Sequence, residues 1–372
     1  MKIAVLVPNF VEFDGAARVA EVQVKELVKQ GHQVDVFAFA ADISADGFKI
    51  YVMGMPKSLF WQRTYRLLFP LDLLKTLKWL PKLEKYDEII VHLYPMTWLG
   101  YLAKKLYGVK YTFWYHGIAP PHLFPHLHER LYMRLQILFT KITVRNVDRA
   151  VAVSKYGQKE LKKYTGLSSE VIYNKVDLTI FHPKIDDSKV REKYNLGNAP
   201  VILFVGTLRP TKGVHLLIQA FKLIKQKIPQ AKLIIVGRPD YPYYFEQLKK
   251  MSDESVIFAG FVTREELPYY YAACDVYASC SLWETFHLPA LEAQACGKPV
   301  IVWHDAIKEV ISENGISVEM GNIEKFAKAC IEKLLQVKTQ KSSRGYAETI
   351  NNSNIQGYDS STTNTYLNME TI

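Results

Sequence analysis

Residues 200–221 read PVILFVGTLRPTKGVHLLIQAF, and their reading decides the fold. VILFVG is an apolar run of strand length, LRPTKG is turn chemistry, and the rest begins a helix that continues to Lys227. A strand that feeds through a turn into a helix is the unit from which parallel sheets are built. The unit recurs as AKLIIVG with a helix at 244–251, VIFAG with a helix at 265–273, and DVYASC. It recurs earlier too: a strand at 2–8, a loop holding DGAARVA, a helix at 19–29 stopped by Gly31, then QVDVFAF, EIIVHL, KYTFWYH and RAVAVS.

Two runs of such units in 372 residues exceed a single core. The expected class is α/β, with two doubly wound Rossmann-like domains facing across an interdomain cleft. An N-terminal domain is expected over 1–180 and a C-terminal domain over 181–337. A polar tail over 338–372, rich in Ser, Thr and Asn, reads as poorly ordered or a short helix with a loose end, able to return to the N-terminal domain. Ligands of such sheets bind beyond the carboxyl ends of the strands, which points to the cleft.

Composition narrows the setting. The four cysteines make no Cys-x-x-Cys pair, so neither zinc nor a disulfide framework is suggested, and buried thiols in a reducing cytoplasm are the expectation. MKIAVLVPNF reads as a first strand, and no run reaches the ~20 apolar residues of a membrane span. The net charge of +10 is lopsided: residues 1–180 hold 25 Lys and Arg against 16 Asp and Glu. Within them, 57–85 mixes seven basic residues with Trp61, Tyr65, Phe69 and Trp79. That pattern suits an anionic membrane surface or anionic substrate, and equally a core-facing helix with a lysine-rich outer face.

The chemistry concentrates in 284–301, ETFHLPALEAQACGKPVI. Pro289 forbids one continuous helix, so Glu284 sits on a loop, a helix starts near Pro289 with Glu292 in its opening turn, Gly297 caps it, and a buried strand follows. The helix start offers free amides at Phe286, His287 and Leu288. Arg209 and Lys212 in the turn after VILFVG add positive charge to another set of amides, a good phosphate site that lacks Walker spacing. Amides for phosphate beside carboxylates for hydroxyls suit a sugar or ribose attached to a diphosphate.

The segment from FAGFVTREELPYYYAACDVYASCSLW through the Glu-x7-Glu motif strongly resembles the donor-binding half of the family 4 retaining glycosyltransferases, which have the GT-B fold. The resemblance extends through DGAARVA, YHG, AVSKYGQKEL, IYNKVDLTIFHP and VGTLRPTKG, leaving 57–85 and the last ~30 residues unmatched. It implies a nucleotide-sugar donor, with Glu292 on the ribose, Glu284 on the transferred sugar, Lys212 and Arg209 on the diphosphate, and the amides near His287 and Leu288 facing sugar and phosphate. It further implies Gly15 and Ala16 closing on the diphosphate, His116 beside the donor sugar, and Phe261 and Val262 meeting the base. The expected acceptor is a glycan or lipid-linked hydroxyl, the lipid-linked form resting on the basic charge of the N-terminal half alone; no nucleic acid partner is expected.

No Asp-x-Asp occurs, so Arg209, Lys212 and helix amides would carry the leaving charge, and no metal or other cofactor is expected. His122, His126 and His128 lie close in sequence, but Pro125 breaks their helix and nothing completes a ligand set. The chain departs from the family in four places. Thr207 stands where arginine is common, with Arg209 two residues on. His287 replaces a glycine and adds a side chain expected near the donor sugar. Lys175 stands in NKVD for glycine, and Ala16 for the second glycine of the first loop. The expected protein is a cytoplasmic enzyme, peripheral on the inner face of the membrane; the alternative is a non-catalytic binder or scaffold of the same fold.

Overall fold

The computed structural model describes residues 1–12, 14–303 and 308–353. Its N-terminal sheet has seven parallel strands: β1 (Lys2–Leu6), β2 (Gln33–Ala38), β3 (Lys49–Val52), β4 (Glu88–His92), β5 (Lys110–Tyr115), β6 (Arg149–Ala152) and β7 (Glu170–Val171), in the order β3-β2-β1-β4-β5-β6-β7. Its C-terminal sheet has six: β8 (Val201–Val205), β9 (Lys232–Val236), β10 (Val256–Gly260), β11 (Val276–Ser279), β12 (Val300–Val302) and β13 (Ile316–Ser317), in the order β10-β9-β8-β11-β12-β13. Both orders reverse beside their first strand, between β1 and β4 and between β8 and β11. The doubly wound expectation holds in both halves.

Most central strands are near-continuous apolar runs because helices cover both faces, with β4, which buries Glu88 and His92, as an exception. In β8 all of Val201–Val205 is buried. The covering helices are α1 (Gly15–Lys29), α2 (Leu59–Leu68), α3 (Leu73–Trp79), α4 (Met96–Tyr107), α5 (Leu127–Thr143), α6 (Lys155–Thr165), α7 (Ser188–Lys193), α8 (Val214–Lys227), α9 (Pro242–Met251), α10 (Leu267–Ala273), α11 (Leu288–Ala295) and α12 (Ile323–Ser353). α8 keeps its expected bounds, and α11 starts where Pro289 is tolerated, with Gly297 beyond its end at φ +73°.

Two boundaries differ from expectation by more than two residues. α1 begins at Gly15 rather than at 19, because the Asp14 carboxylate caps it by accepting from the Ala16 and Ala17 amides. α12 continues through 338 to Ser353, packing on α8, so the start of the expected tail is helical; residues 354–372 lie outside the described residues.

Candidate functional site

The C-terminal half of the site is made by the loops leaving β8 and β11, neighbours at the switch point. Gly213 draws them together: its φ is +63°, and a Cβ there would lie 1.9 Å from the Cys280 carbonyl oxygen, so only glycine permits the approach. The Leu282 amide donates to the Thr211 carbonyl at 2.9 Å, tying one loop to the other. Lys212 is thereby carried to Glu284.

Three groups converge on one oxygen of Glu284. Lys212 Nζ is 2.5 Å from Oε1, the Ser281 hydroxyl donates to it at 2.9 Å, and His287 Nδ1 lies 3.1 Å away. Oε2 has no donor among the described residues. Burial would push this carboxyl up, but Lys212 and then His287 outweigh it and hold the group well below the usual carboxylate range. Glu284 is therefore an ionised acceptor with one oxygen held and one available to a hydroxyl.

Glu292 projects from α11 and is fully buried. Tyr271 Oη donates to its Oε2 at 2.7 Å, and Arg18 of α1 reaches across from the N-terminal domain to Oε1. A second bridge runs from Arg264 to Glu21 at 2.7 Å. Beside them is a small, open pocket lined by Arg18, Lys175, Arg264, Leu288 and Glu292 among others. Val262 is buried after the end of β10, Phe261 beside it is 49% exposed, and Phe286 packs in the core next to Leu288.

On the N-terminal side, His116 follows β5 and His92 ends β4, and their rings stack with His92 Nδ1 2.7 Å from His116 Nε2. His92 Nε2 lies 3.0 Å from Gln23 Oε1. An amide oxygen only accepts, so His92 donates through Nε2, accepts through Nδ1, and His116 donates from Nε2. Burial keeps both rings neutral, lowering His116 to about 3 and His92 well below its ordinary value. Thr285 Oγ1 donates to the His116 carbonyl, linking this strand end to the Glu284 loop. Gly117, at φ +104°, is what lets Thr285 so close: a Cβ would meet its Cγ2 at 2.4 Å.

Several expected residues lie differently. Gly15 and Ala16 are the first turn of α1 rather than a loop, and the Ala16 amide donates to Asp14 at 2.9 Å, so it is already engaged. Arg209 Nε donates to Thr207 Oγ1 at 3.1 Å and lies 3.8 Å from Asp240, away from Glu284's cluster. The His287 ring is buried between Glu284 and Tyr277, whose Oη is 2.8 Å from Nε2, so it meets a sugar only through Glu284. Lys175 keeps a negative φ and takes no strain. His126 and His128 stack on each other, and no group of three metal-ligating side chains occurs among the described residues.

Sequence reasoning missed Arg18, His92, Tyr271, Tyr277 and Ser281. His92 had a signal: like His116 it is a histidine closing a buried strand on the cleft side. Arg18 had none, because only the closed cleft pairs it with a residue 274 positions away.

The family described as Glycosyltransferase Family 4 matches residues 13–180, and the one described as Glycosyl transferases group 1 matches residues 199–336. The chain is 30% identical over 268 residues to an uncharacterized 41.2 kDa protein in the cps region of Klebsiella pneumoniae, covering 68% of this chain and 69% of the relative. It is 29% identical over 268 residues to the Escherichia coli UDP-Gal:alpha-D-GlcNAc-diphosphoundecaprenol alpha-1,3-galactosyltransferase, covering 67% of each. Other curated relatives are matched over about half their length, 48% and 55% in two of them. The fold superposes on Anabaena HepE, solved in complex with UDP and glucose, with a TM-score of 0.75 at 21% identity, over 93% of this chain and 100% of the other.

Proposed function

Since the chain belongs to the group 1 and family 4 glycosyltransferases, we propose that it moves a sugar from a nucleotide-sugar donor to an acceptor hydroxyl, with retained configuration and without a metal ion. The observation that carries this reading is Glu284: an ionised carboxylate whose Oε1 is held by Lys212, Ser281 and His287 while Oε2 is left for a sugar hydroxyl. Glu292 beside the cleft cavity would take the ribose hydroxyls, displacing Arg18 from Oε1. In the transfer, the bond from the anomeric carbon to the β-phosphate oxygen breaks, the acceptor oxygen bonds that carbon, and its proton goes to the departing phosphate. Lys212 would turn from Glu284 to meet the charge that builds up on the departing phosphate, and electrostatic stabilisation of that kind is usually the largest single contribution to catalysis.

Arg209 favours the alternative of a non-catalytic binder, since its guanidinium faces Asp240 instead of the Glu284 cluster. Turnover separates the two: nucleoside diphosphate released from a panel of nucleotide sugars by wild type, but not by Glu284→Gln, supports transfer. No release by either supports the binder.

A lipid-linked acceptor reached at an anionic membrane face completes the reading. The Escherichia coli relative is named for a diphosphoundecaprenol substrate. No helix among the described residues is long and apolar enough to cross a membrane. The turn into α3 and α3 itself, however, expose Leu71 (72%), Leu73 (64%), Leu74 (84%) and Leu77 (70%) among Lys75, Lys78, Lys82 and Lys85. Contiguous apolar exposure ringed by lysine suits the boundary between headgroups and acyl chains. Flotation with anionic vesicles should recover wild type and lose a Leu74→Ser/Leu77→Ser double variant; equal recovery from neutral vesicles, or by the variant, contradicts this docking.

A further inference from the structure

We propose that His287 is a positioning residue for the transfer, holding Glu284 in place while Lys212 turns to the diphosphate. This rests on the glycosyltransferase reading and adds a role for a side chain that reaches no ligand itself.

Lys212 Nζ and His287 Nδ1 share Glu284 Oε1, at 2.5 and 3.1 Å. A carboxylate only accepts, so Nδ1 must carry hydrogen and donate. With Nδ1 donating, Nε2 accepts the single hydrogen of the Tyr277 hydroxyl at 2.8 Å, and Tyr277 is itself a residue of β11. The ring is 2% exposed and Tyr277 is fully buried, so the chain Tyr277, His287, Glu284 is anchored in the sheet itself. Lys212, by contrast, has a flexible stem and is the group a diphosphate would draw away. Once its charge is shared with phosphate, burial works against an ionised Glu284, and His287 with Ser281 are the donors that remain. Glu284 then stays ionised, with Oε2 turned to the sugar, through the step that needs it.

The charged and titratable groups around this carboxylate are Lys212 from the β8 loop, His287 on its own loop, Tyr277 from β11, and Glu292 from α11 with its partners Arg18 and Tyr271. Of these only Lys212 and His287 pair with Glu284 directly.

The experiment compares His287→Phe, His287→Asn and Tyr277→Phe with wild type, measuring nucleoside diphosphate affinity, kcat and the pH profile of kcat. Phenylalanine fills the space without a donor, whereas asparagine keeps an N–H where Nδ1 lies. The expected result is unchanged nucleotide affinity throughout, a loss in kcat of about tenfold or more for His287→Phe, and an acid limb moved to higher pH. His287→Asn should restore most of kcat and return the limb, with Tyr277→Phe intermediate. Wild-type kcat reports on the transferase reading by itself, and the ratios of variant to wild type report on His287. Full activity with an unmoved acid limb in His287→Phe would overturn the proposal. So would equal losses in His287→Phe and His287→Asn.

Discussion

Glu284 works because its two oxygens live in different surroundings. With Oε1 bound by three donors, the carboxylate keeps its charge although the residue is only 5% exposed. Glutamine at this position would present an amide to Lys212, leave one side of the contact unsatisfied, and remove the charge proposed above to face the sugar. The expected cost to turnover is about 100-fold or more, the scale set by losing one preorganised polar group at a reacting centre. The carboxylates themselves were legible in the sequence, because Pro289 separates a loop glutamate from a helix glutamate and both occupy the places so assigned. The surroundings were not. Arg209 had the right charge and distance along the chain, yet Asp240, brought alongside by the parallel pairing of β8 and β9, draws it elsewhere. The resemblance put Gly15 and Ala16 in a loop closing on the diphosphate, whereas the cap by Asp14 makes them the first turn of α1.

Among the elements, the β8 turn is held by close backbone approach rather than by side chains. Gly213→Ala would force positive φ on alanine and drive its Cβ into the Cys280 carbonyl. The expected loss is on the order of 3 kcal/mol, read as a lower urea midpoint, together with loss of turnover as Lys212 moves off Glu284. A variant as stable and active as wild type would show that the loops tolerate separation. Strands and their order of alternation with helices were readable because buried parallel strands are apolar runs, and α8 kept its expected bounds for the same reason of pattern. Helix starts fixed by a polar cap, as at Asp14, were read late, and α12 ran past the change to polar composition at 338 because helical hydrogen bonding can continue without an apolar face.

At the scale of the whole molecule, the two domains meet through polar bridges: Arg18 with Glu292, Arg264 with Glu21, Trp283 Nε1 with Glu160 at 3.1 Å, and the Glu309 carboxylate on the amides of Lys155 and Tyr156. Charge inside this junction makes stability depend on pH in two opposite ways. His92 and His116 are neutral when folded but take protons when unfolded, so they leave stability untouched above about pH 6.5 and lower it as pH falls from there towards 3. Burial pushes the Glu160 carboxyl up to about 7, so the folded state holds a proton the unfolded chain releases, and that contribution fades as pH rises through 7. His92→Gln should therefore lose less melting temperature than wild type between pH 6.5 and 4, and Glu160→Gln should lose less between pH 5 and 8. Parallel curves for all three proteins would contradict the assignment.

The pairing of Glu292 with Arg18 sets the decisive test, because in the proposed function a nucleotide takes that carboxylate from its partner in the other domain. The measurement is calorimetric or thermal-shift titration with UDP, GDP, ADP and CMP on wild type and Glu292→Ala. One nucleotide is expected to stabilise the wild type, by about 2.7 kcal/mol at 100 times its dissociation constant, and the variant to lose the effect. If no nucleotide stabilises the wild type, or the variant binds as well, the cleft beside Glu292 is not a nucleotide-sugar site.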